Sequence, residues 1–306
     1  MPMEAPRNAD DYPLPTRKVR WPALIFFVGL HIAGLVGTPL YIYYRGITGP
    51  EVALFFFFIV ATGISITLGY HRLFAHGTFK ASPIVRFLLL LFGAATFQES
   101  ALKWSSQHRQ HHLFTDTKHD PYGVDQGFWH AHIGWIFLWR HRTNYNNVND
   151  LRRCRLVSHQ HDHHEWWSIG GGVVLPMLIA FWIGHPLGGL IMVVCLRIIL
   201  VLHGAFCVNS FAHTFGTKKY NPTQSARDSW ITAFLTHGEG FHNFHHRFPT
   251  DYRNGVRWFD WDPTKWCIYA LSKLGLAWDL KRTSPQRIAA ADGIDNDHIA
   301  EPNALP

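Results

Sequence analysis

The chain has 306 residues, 47% of them hydrophobic, and carries a net charge of +7 with its 22 histidines neutral; that length fits one or two domains. Its four cysteines, Cys154, Cys195, Cys207 and Cys267, form no C-x-x-C pair, which argues against a thiolate metal site, an iron–sulfur cluster and a disulfide framework. No nucleic-acid-binding motif accompanies the positive charge, so no nucleic-acid partner is expected, and the charge is read as Lys and Arg held beside an anionic bilayer surface.

Residues 1–20 are polar and proline-containing and are expected to form a mobile tail. Arg17, Lys18 and Arg20 precede an apolar run over about 21–44, long enough to cross a hydrocarbon core of roughly 20 helical residues. These basic residues place the N-terminus in the cytoplasm. Gly46, Gly49 and Pro50 mark a turn, and a second span over about 52–70 returns to end at His71. The apolar run over 84–101 is shorter and carries Arg86. Were it to cross, His71 and His76 would be parted from His108 to His112, so it is read as interfacial or re-entrant. A polar, His- and Trp-rich region follows to about 166. Two more spans, over about 166–183 and 187–208, are joined at His185-Pro186 and deliver Asn209 and His213 to the cytoplasmic side. Asp262-Pro263 is a helix start, and residues 283–306 are expected to be disordered. The fold class is therefore an all-α integral membrane protein, with one domain over 21–282. Four transmembrane helices carry a cytosolic helical cap with a histidine-rich dimetal site.

The histidines carry the chemistry. His108, His111 and His112 stand at i, i+3 and i+4, as do His242, His245 and His246, a spacing that puts three imidazoles on one helical face within reach of a common point. His71 and His76 form a third cluster, and His213 follows the fourth span. Nine imidazoles exceed the four ligands of one zinc and suit two metals with four or five ligands each; Asn209, one turn before His213, can add a ligand directly or through water. Imidazole accepts iron, zinc, copper or nickel, and an all-nitrogen site open to dioxygen at the membrane surface favours a pair of irons. Glu239 and Asp120 are candidates to orient ligand imidazoles. His237 is read as a supporting or surface residue. His31 and His203 are read as polar groups satisfied between helices, and Arg197 as a cation snorkelling to the far interface or paired within the bundle.

The boxes His71-Arg-Leu-Phe-Ala-His76, His108-Arg-Gln-His-His112 and Gly238-Glu-Gly-Phe-His-Asn-Phe-His-His246 resemble the three histidine boxes of the membrane fatty acyl desaturases, of the stearoyl-CoA (Δ9) type. Leu113 to Tyr122, His132-Ile-Gly-Trp135 and Asn209-Ser-Phe-Ala-His213 extend the resemblance over about residues 24–280. It implies a fatty acyl desaturase that uses dioxygen and two electrons at a non-haem diiron centre to place a cis double bond in a saturated acyl chain. The nine histidines above would be its ligands, with Asn209 reaching an iron through water. It also implies an acyl tunnel lined by Trp104 and Gln98, with Ile59 and Gly63 near positions that limit chain length. Phe206 stands where the animal enzymes carry tryptophan. Their basic acyl-CoA contacts do not align, and Arg152, Arg153 and Arg155 are the substitutes offered here, so the acyl carrier is CoA or a phospholipid. No fused cytochrome domain is recognisable, so electrons are expected from a separate ferredoxin or b-type cytochrome with an NAD(P)H-dependent reductase. A bacterial cytoplasmic membrane is the expected location, with the endoplasmic reticulum as the alternative. Two competing functions remain: a membrane diiron hydroxylase acting on alkanes or fatty acids, and a metal transporter or sensor using the histidines as a store.

Overall fold

Four helices long and apolar enough to cross a membrane organise the chain in a computed structural model that describes residues 9–140 and 142–292. They are α1 (Trp21–Arg45), α2 (Gly49–Ala75), α6 (His164–Trp182) and α7 (Pro186–His213). Between α2 and α6 lie α3 (Pro83–Ala94), α4 (Ala101–Phe114) and α5 (Arg155–Asp162). After α7 come α8 (Trp230–Leu235), α9 (His242–Arg247), α10 (Pro263–Lys273) and α11 (Pro285–Asp292).

Local chemistry starts several of these helices. Thr48 and Glu51 form a reciprocal capping box at α2, with Pro50 in its first turn. Ser82, Ser100 and Asp262 accept from the backbone amides of Val85, Lys103 and Lys265 to cap α3, α4 and α10. All four spans contain π-turns, at Ile32–Val36, Ser65–Ala75, Gly170–Val174 and Gly189–Leu196. The one in α2 matters most. In a regular α-helix, residues five apart sit roughly 140° apart around the axis. Here the His76 amide donates to the His71 carbonyl at 3.1 Å, an i→i+5 bond that brings both imidazoles to one side.

α3 does not carry the chain to the opposite side. His76, before it, and His108, after it, have ring nitrogens 2.8 Å apart. Arg197, fully buried in α7, fixes the end of this helix: its guanidinium donates to the carbonyls of Val193, Ala95 and Gly172. It neither snorkels nor meets a carboxylate among the described residues. It instead joins the turn after α3 to α6 and α7 through carbonyls that have no water to bond.

Both expected tails are ordered in part. Thr16–Arg17 (β1) pairs antiparallel with Trp139–Arg140 (β3), and Tyr12 is buried with its ring 5.0 Å from that of Phe114. At the other end, Ile288 and Ala291 of α11 pack with Tyr220, Phe244 and Phe248, so apolar contact overrides the polar composition from Thr283 onward. The rest of the tail expectations, 1–8 and 293–306, lies outside the described residues. A second antiparallel pair, Lys80–Ala81 (β2) with Ala277–Trp278 (β4), ties the segment after α10 to the end of α2. The core beneath it holds Leu68, Phe79, Leu89 and Ile268.

Candidate metal centre

The nine imidazoles converge in two groups. His71, His76, His108, His112 and His245 form one, and His111, His213, His242 and His246 the other; within each, one ligand atom per residue lies within 4.8 Å of all the others. The single common point expected of each triplet is corrected here. In α4, His108 and His112 serve the first group while His111 turns to the second. In α9 the split is reversed: His242 and His246 serve the second group and His245 the first. An i, i+4 pair shares a face, and the residue at i+3 is offset just enough to reach a neighbouring point.

The approaches are between Nε2 atoms. In the first group they are 2.9 Å for His71–His245, 2.8 Å for His76–His108, 3.1 Å for His108–His112 and 2.9 Å for His112–His245. In the second they are 3.3 Å for His111–His246, 3.1 Å for His213–His242 and 3.0 Å for His242–His246. Two nitrogens bound at right angles, each about 2.1 Å from one ion, sit roughly 3 Å apart, so the spacing fits a metal. The proton placement fits too. His71 Nδ1 lies 2.7 Å from Glu239 Oε2, His111 Nδ1 2.8 Å from Asp120 Oδ2 and His213 Nδ1 2.6 Å from Ser225 Oγ. A proton engaged at Nδ1 leaves the Nε2 lone pair facing inward. Burial first, then repulsion among neighbouring imidazoles, holds His76, His108, His112, His245 and His246 well below the ordinary histidine value. They are therefore neutral near pH 7, as ligation requires. The donor set, nine buried or half-buried imidazoles without thiolate, suits iron among several metals.

Buried charge locks the frame. Arg72 donates to Glu239 Oε1 at 3.0 Å, to Asp262 Oδ2 at 3.1 Å and to the Tyr252 carbonyl at 2.8 Å. Asn254 Nδ2 donates to Glu239 Oε2 at 2.8 Å. Burial raises the Glu239 carboxyl, but His71 and Arg72 outweigh it and hold the group at about 2. Asp228 accepts from the amides of Asn243 and Phe244, fixing the start of α9. The short stretch from Thr236 to Phe241 thus carries both a group that orients a ligand and the approach to three ligands.

A cavity of about 1430 Å³ touches both groups: His71 and His108 of the first and His111 and His242 of the second line it. Trp104, Gln98, Phe206, Ile59, Gly63 and Asn209 line it as well. Trp104 stacks on the His108 ring at 4.8 Å and donates from Nε1 to Gln98 Oε1 at 3.3 Å. Gln98 sits between Phe97 and Glu99, both at positive φ (61° and 70°), in the turn anchored by Arg197. Arg153 and Arg155 do not reach the cavity. They are exposed, on or beside α5, whose buried face is Val157 and Gln160. Arg152 lines a separate small pocket with Tyr145 and His161. The cations that line the cavity are Lys18, Arg20 and Lys103. Lys18 and Arg20 looked like charge flanking a span, and only the β1–β3 pairing, with the Lys18 amide donating to the Leu138 carbonyl, brings them to the cavity wall. Ser225 carried no signal: its amide donates to Asp116 Oδ2 at 2.7 Å, which sets its hydroxyl against His213.

A helical membrane bundle whose cap gathers two imidazole clusters over an apolar cavity defines a class: integral membrane proteins with a site competent for two metals. The chain belongs to the fatty acid desaturase family, whose sequence profile matches residues 49–268. It is 39% identical over 272 residues to acyl-CoA desaturase 1 of Saccharomyces cerevisiae, covering 86% of this chain and 53% of that protein. It is 40% identical over 259 residues to a probable acyl-CoA desaturase of Schizosaccharomyces pombe, covering 82% and 54%. It is 31% identical over 288 residues to stearoyl-CoA desaturase of Homo sapiens, covering 91% and 79%. The chain thus spans about half the length of the yeast relatives. These relatives are eukaryotic, and the expected bacterial cytoplasmic membrane gains no support from them.

Proposed function

We propose that this chain is an acyl desaturase acting on a saturated acyl chain carried by an anionic group, with coenzyme A as the carrier and Δ9 as the position. The observation that carries this is the shared wall. One apolar cavity is bordered by imidazoles of both groups, so a chain within it lies against both. In this reading His71, His76, His108, His112 and His245 hold one iron, and His111, His213, His242 and His246 hold the other, with Asn209 beside them. Two irons so held would supply the activation of dioxygen needed to remove two hydrogens from adjacent carbons, dioxygen taking up these hydrogens, two electrons and two further protons to leave as two waters.

The protein's own part is binding and orientation. Trp104 and Phe206 press on the chain where it passes the histidines, and Gln98 holds the Trp104 indole in place. Lys18, Arg20 and Lys103 meet the anionic carrier at the opening; Arg153 and Arg155 take no part in this. Glu239, Asp120 and Ser225 hold a proton on Nδ1 of their histidines and leave Nε2 free. The basic residues ahead of α1 put this opening on the cytoplasmic side, where an electron donor reaches the cap.

The test supplies membranes containing the chain with stearoyl-CoA, reductant and dioxygen and identifies the acyl products by mass spectrometry. A cis-9 unsaturated product is expected. A hydroxylated product assigns the chain to the hydroxylases instead, and unchanged substrate refutes both.

A further inference from the structure

The chain after the fourth span turns an apolar face outward. In α8, Trp230, Ile231, Phe234 and Leu235 are exposed, and only Thr232 and Ala233 are buried. Four large apolar side chains outward on a six-residue helix without a charge mark a surface covered by something other than water. The face continues on the loop before α10 and on α10 itself, where Trp258, Phe259, Trp261, Trp266 and Tyr269 are exposed. These residues form one patch. The Phe234 and Trp261 rings are 5.3 Å apart and the Trp261 and Trp266 rings 5.8 Å, and Trp266 Nε1 donates to the Trp258 carbonyl at 3.0 Å. Cations stand over its rim: Arg257 lies 5.7 Å from the Phe259 ring and Lys273 5.1 Å from the Tyr269 ring.

What covers the patch follows from its depth. α2 starts at Gly49 and α7 at Pro186, both at the far end of the bundle. A Cβ on Gly204 of α7 would lie 3.7 Å from the Leu235 carbonyl oxygen, and the Thr264 hydroxyl of α10 lies 2.6 Å from that of Thr67 in α2. Gly204 follows Pro186, and Thr67 follows Gly49, by 18 residues, at most about 27 Å along a helix rising 1.5 Å per residue. A hydrocarbon core is about 30 Å thick. The end of α8 and the start of α10 therefore lie level with hydrocarbon, short of the cap-side ends of α2 and α7. Val60 stands seven residues before Thr67, hence on the same side of α2, and is itself exposed, so the patch continues a surface that the spans already present to lipid. Its tryptophans and tyrosine, with cations outside them, are the side chains that a membrane interface selects.

We propose that the face formed by α8, the loop 258–261 and α10 is a non-spanning membrane insertion, and that its occupant is the lipid of the leaflet on the side of the histidine groups. α8 lies among the acyl chains of that leaflet. Trp258, Trp261 and Trp266 form the boundary layer, and Arg257 and Lys273 meet lipid phosphates beyond it. The bilayer thus covers part of the cap as well as the spans. The same contact holds the chain that runs from α8 through Thr236–Phe241 into α9. None of this depends on what the cavity binds.

The test places a nitroxide at one position at a time in the full chain, in bilayers of phosphatidylcholine and phosphatidylglycerol without reductant. Its collisions with dioxygen, which concentrates in hydrocarbon, are compared with those of a water-soluble, exchange-inert chromium complex. Phe234→Cys carries the label on the proposed face. Phe57→Cys, exposed on α2, and Lys118→Cys, exposed on the cap, give the lipid and water references. The unaltered chain, treated alike, gives the background of its four cysteines. At Phe234 dioxygen contact is expected to exceed chromium contact, as at Phe57, with the order reversed at Lys118. Should Phe234→Cys yield no protein, Ile231→Cys on the same helix decides. Chromium contact like that at Lys118 overturns the proposal, as does shielding from both reagents. Spin–spin broadening that disappears on dilution with unlabelled chain also overturns it, and assigns the face to a second copy instead.

Discussion

Glu239→Ala probes the frame that holds the metal groups. In the native chain Glu239 is 4% exposed and shares the Arg72 guanidinium with Asp262, which lies 2.9 Å from it. It also accepts from Asn254 and faces His71 Nδ1. Asp262 still balances the Arg72 charge in the variant, so the cost is that of the donors left without an acceptor, one Arg72 N–H and Asn254 Nδ2, at about 1–3 kcal/mol each, or about 2–6 kcal/mol together. Unfolding entropy of roughly 2.1 cal/mol/K per residue turns this into a fall in melting temperature of about 3–9 °C for a chain of this length. Glu239→Gln keeps the shape and one acceptor, but its amide hydrogens face the Asn254 Nδ2 donor, so a smaller loss of about 1–3 kcal/mol is expected. Melting followed by tryptophan fluorescence in detergent, with metal content measured on the same samples, gives both readouts. The reasoning is refuted if the Ala variant melts with the native protein and keeps its metal.

Other outcomes follow from the same geometry. His245 Nε2 stands 2.9 Å from both His71 and His112, so His245→Ala should lower iron to about one per chain, whereas His163→Ala, at an exposed position, should leave it unchanged by elemental analysis. The pH dependence has a definite sign. Buried histidines held below their ordinary value stay neutral in the folded protein, while the unfolded chain takes up protons once pH drops below about 6.5. Stability from the histidine groups is therefore full above that pH and lost below it, and iron retained after dialysis should fall between pH 7 and 5. Arg197→Lys keeps a charge but loses the fork that spans three carbonyls. It should lower the melting temperature, each unpaired carbonyl costing about 1–3 kcal/mol.

The histidine spacing in α4 and α9 was legible in the sequence because an α-helix maps position directly onto direction. What that spacing could not tell was which imidazole serves which centre, since the split depends on how two helices face each other. The placement of His71 and His76 was hidden for another reason. Five-residue spacing suits no α-helical face, and only the π-turn of Ser65–Ala75 makes it productive. Arg153 and Arg155 lie near a polar, aromatic-rich stretch that looks like a binding face, yet their helix buries the opposite side and leaves both outside the cavity. Lys18 and Arg20 reach the cavity through a two-residue strand pair that no periodicity announces. Ser225 and Asp116 act on His213 across a long sequence separation, a contact that local pattern cannot carry. Arg197 within an apolar run marked a functional or structural site, but its partners are backbone carbonyls, which leave no trace in composition.

The most direct measurement is the number of iron atoms retained per chain after the purified protein is freed of loosely bound metal at neutral pH. The two imidazole groups predict two. One iron, or none with full retention of fold, would contradict the account.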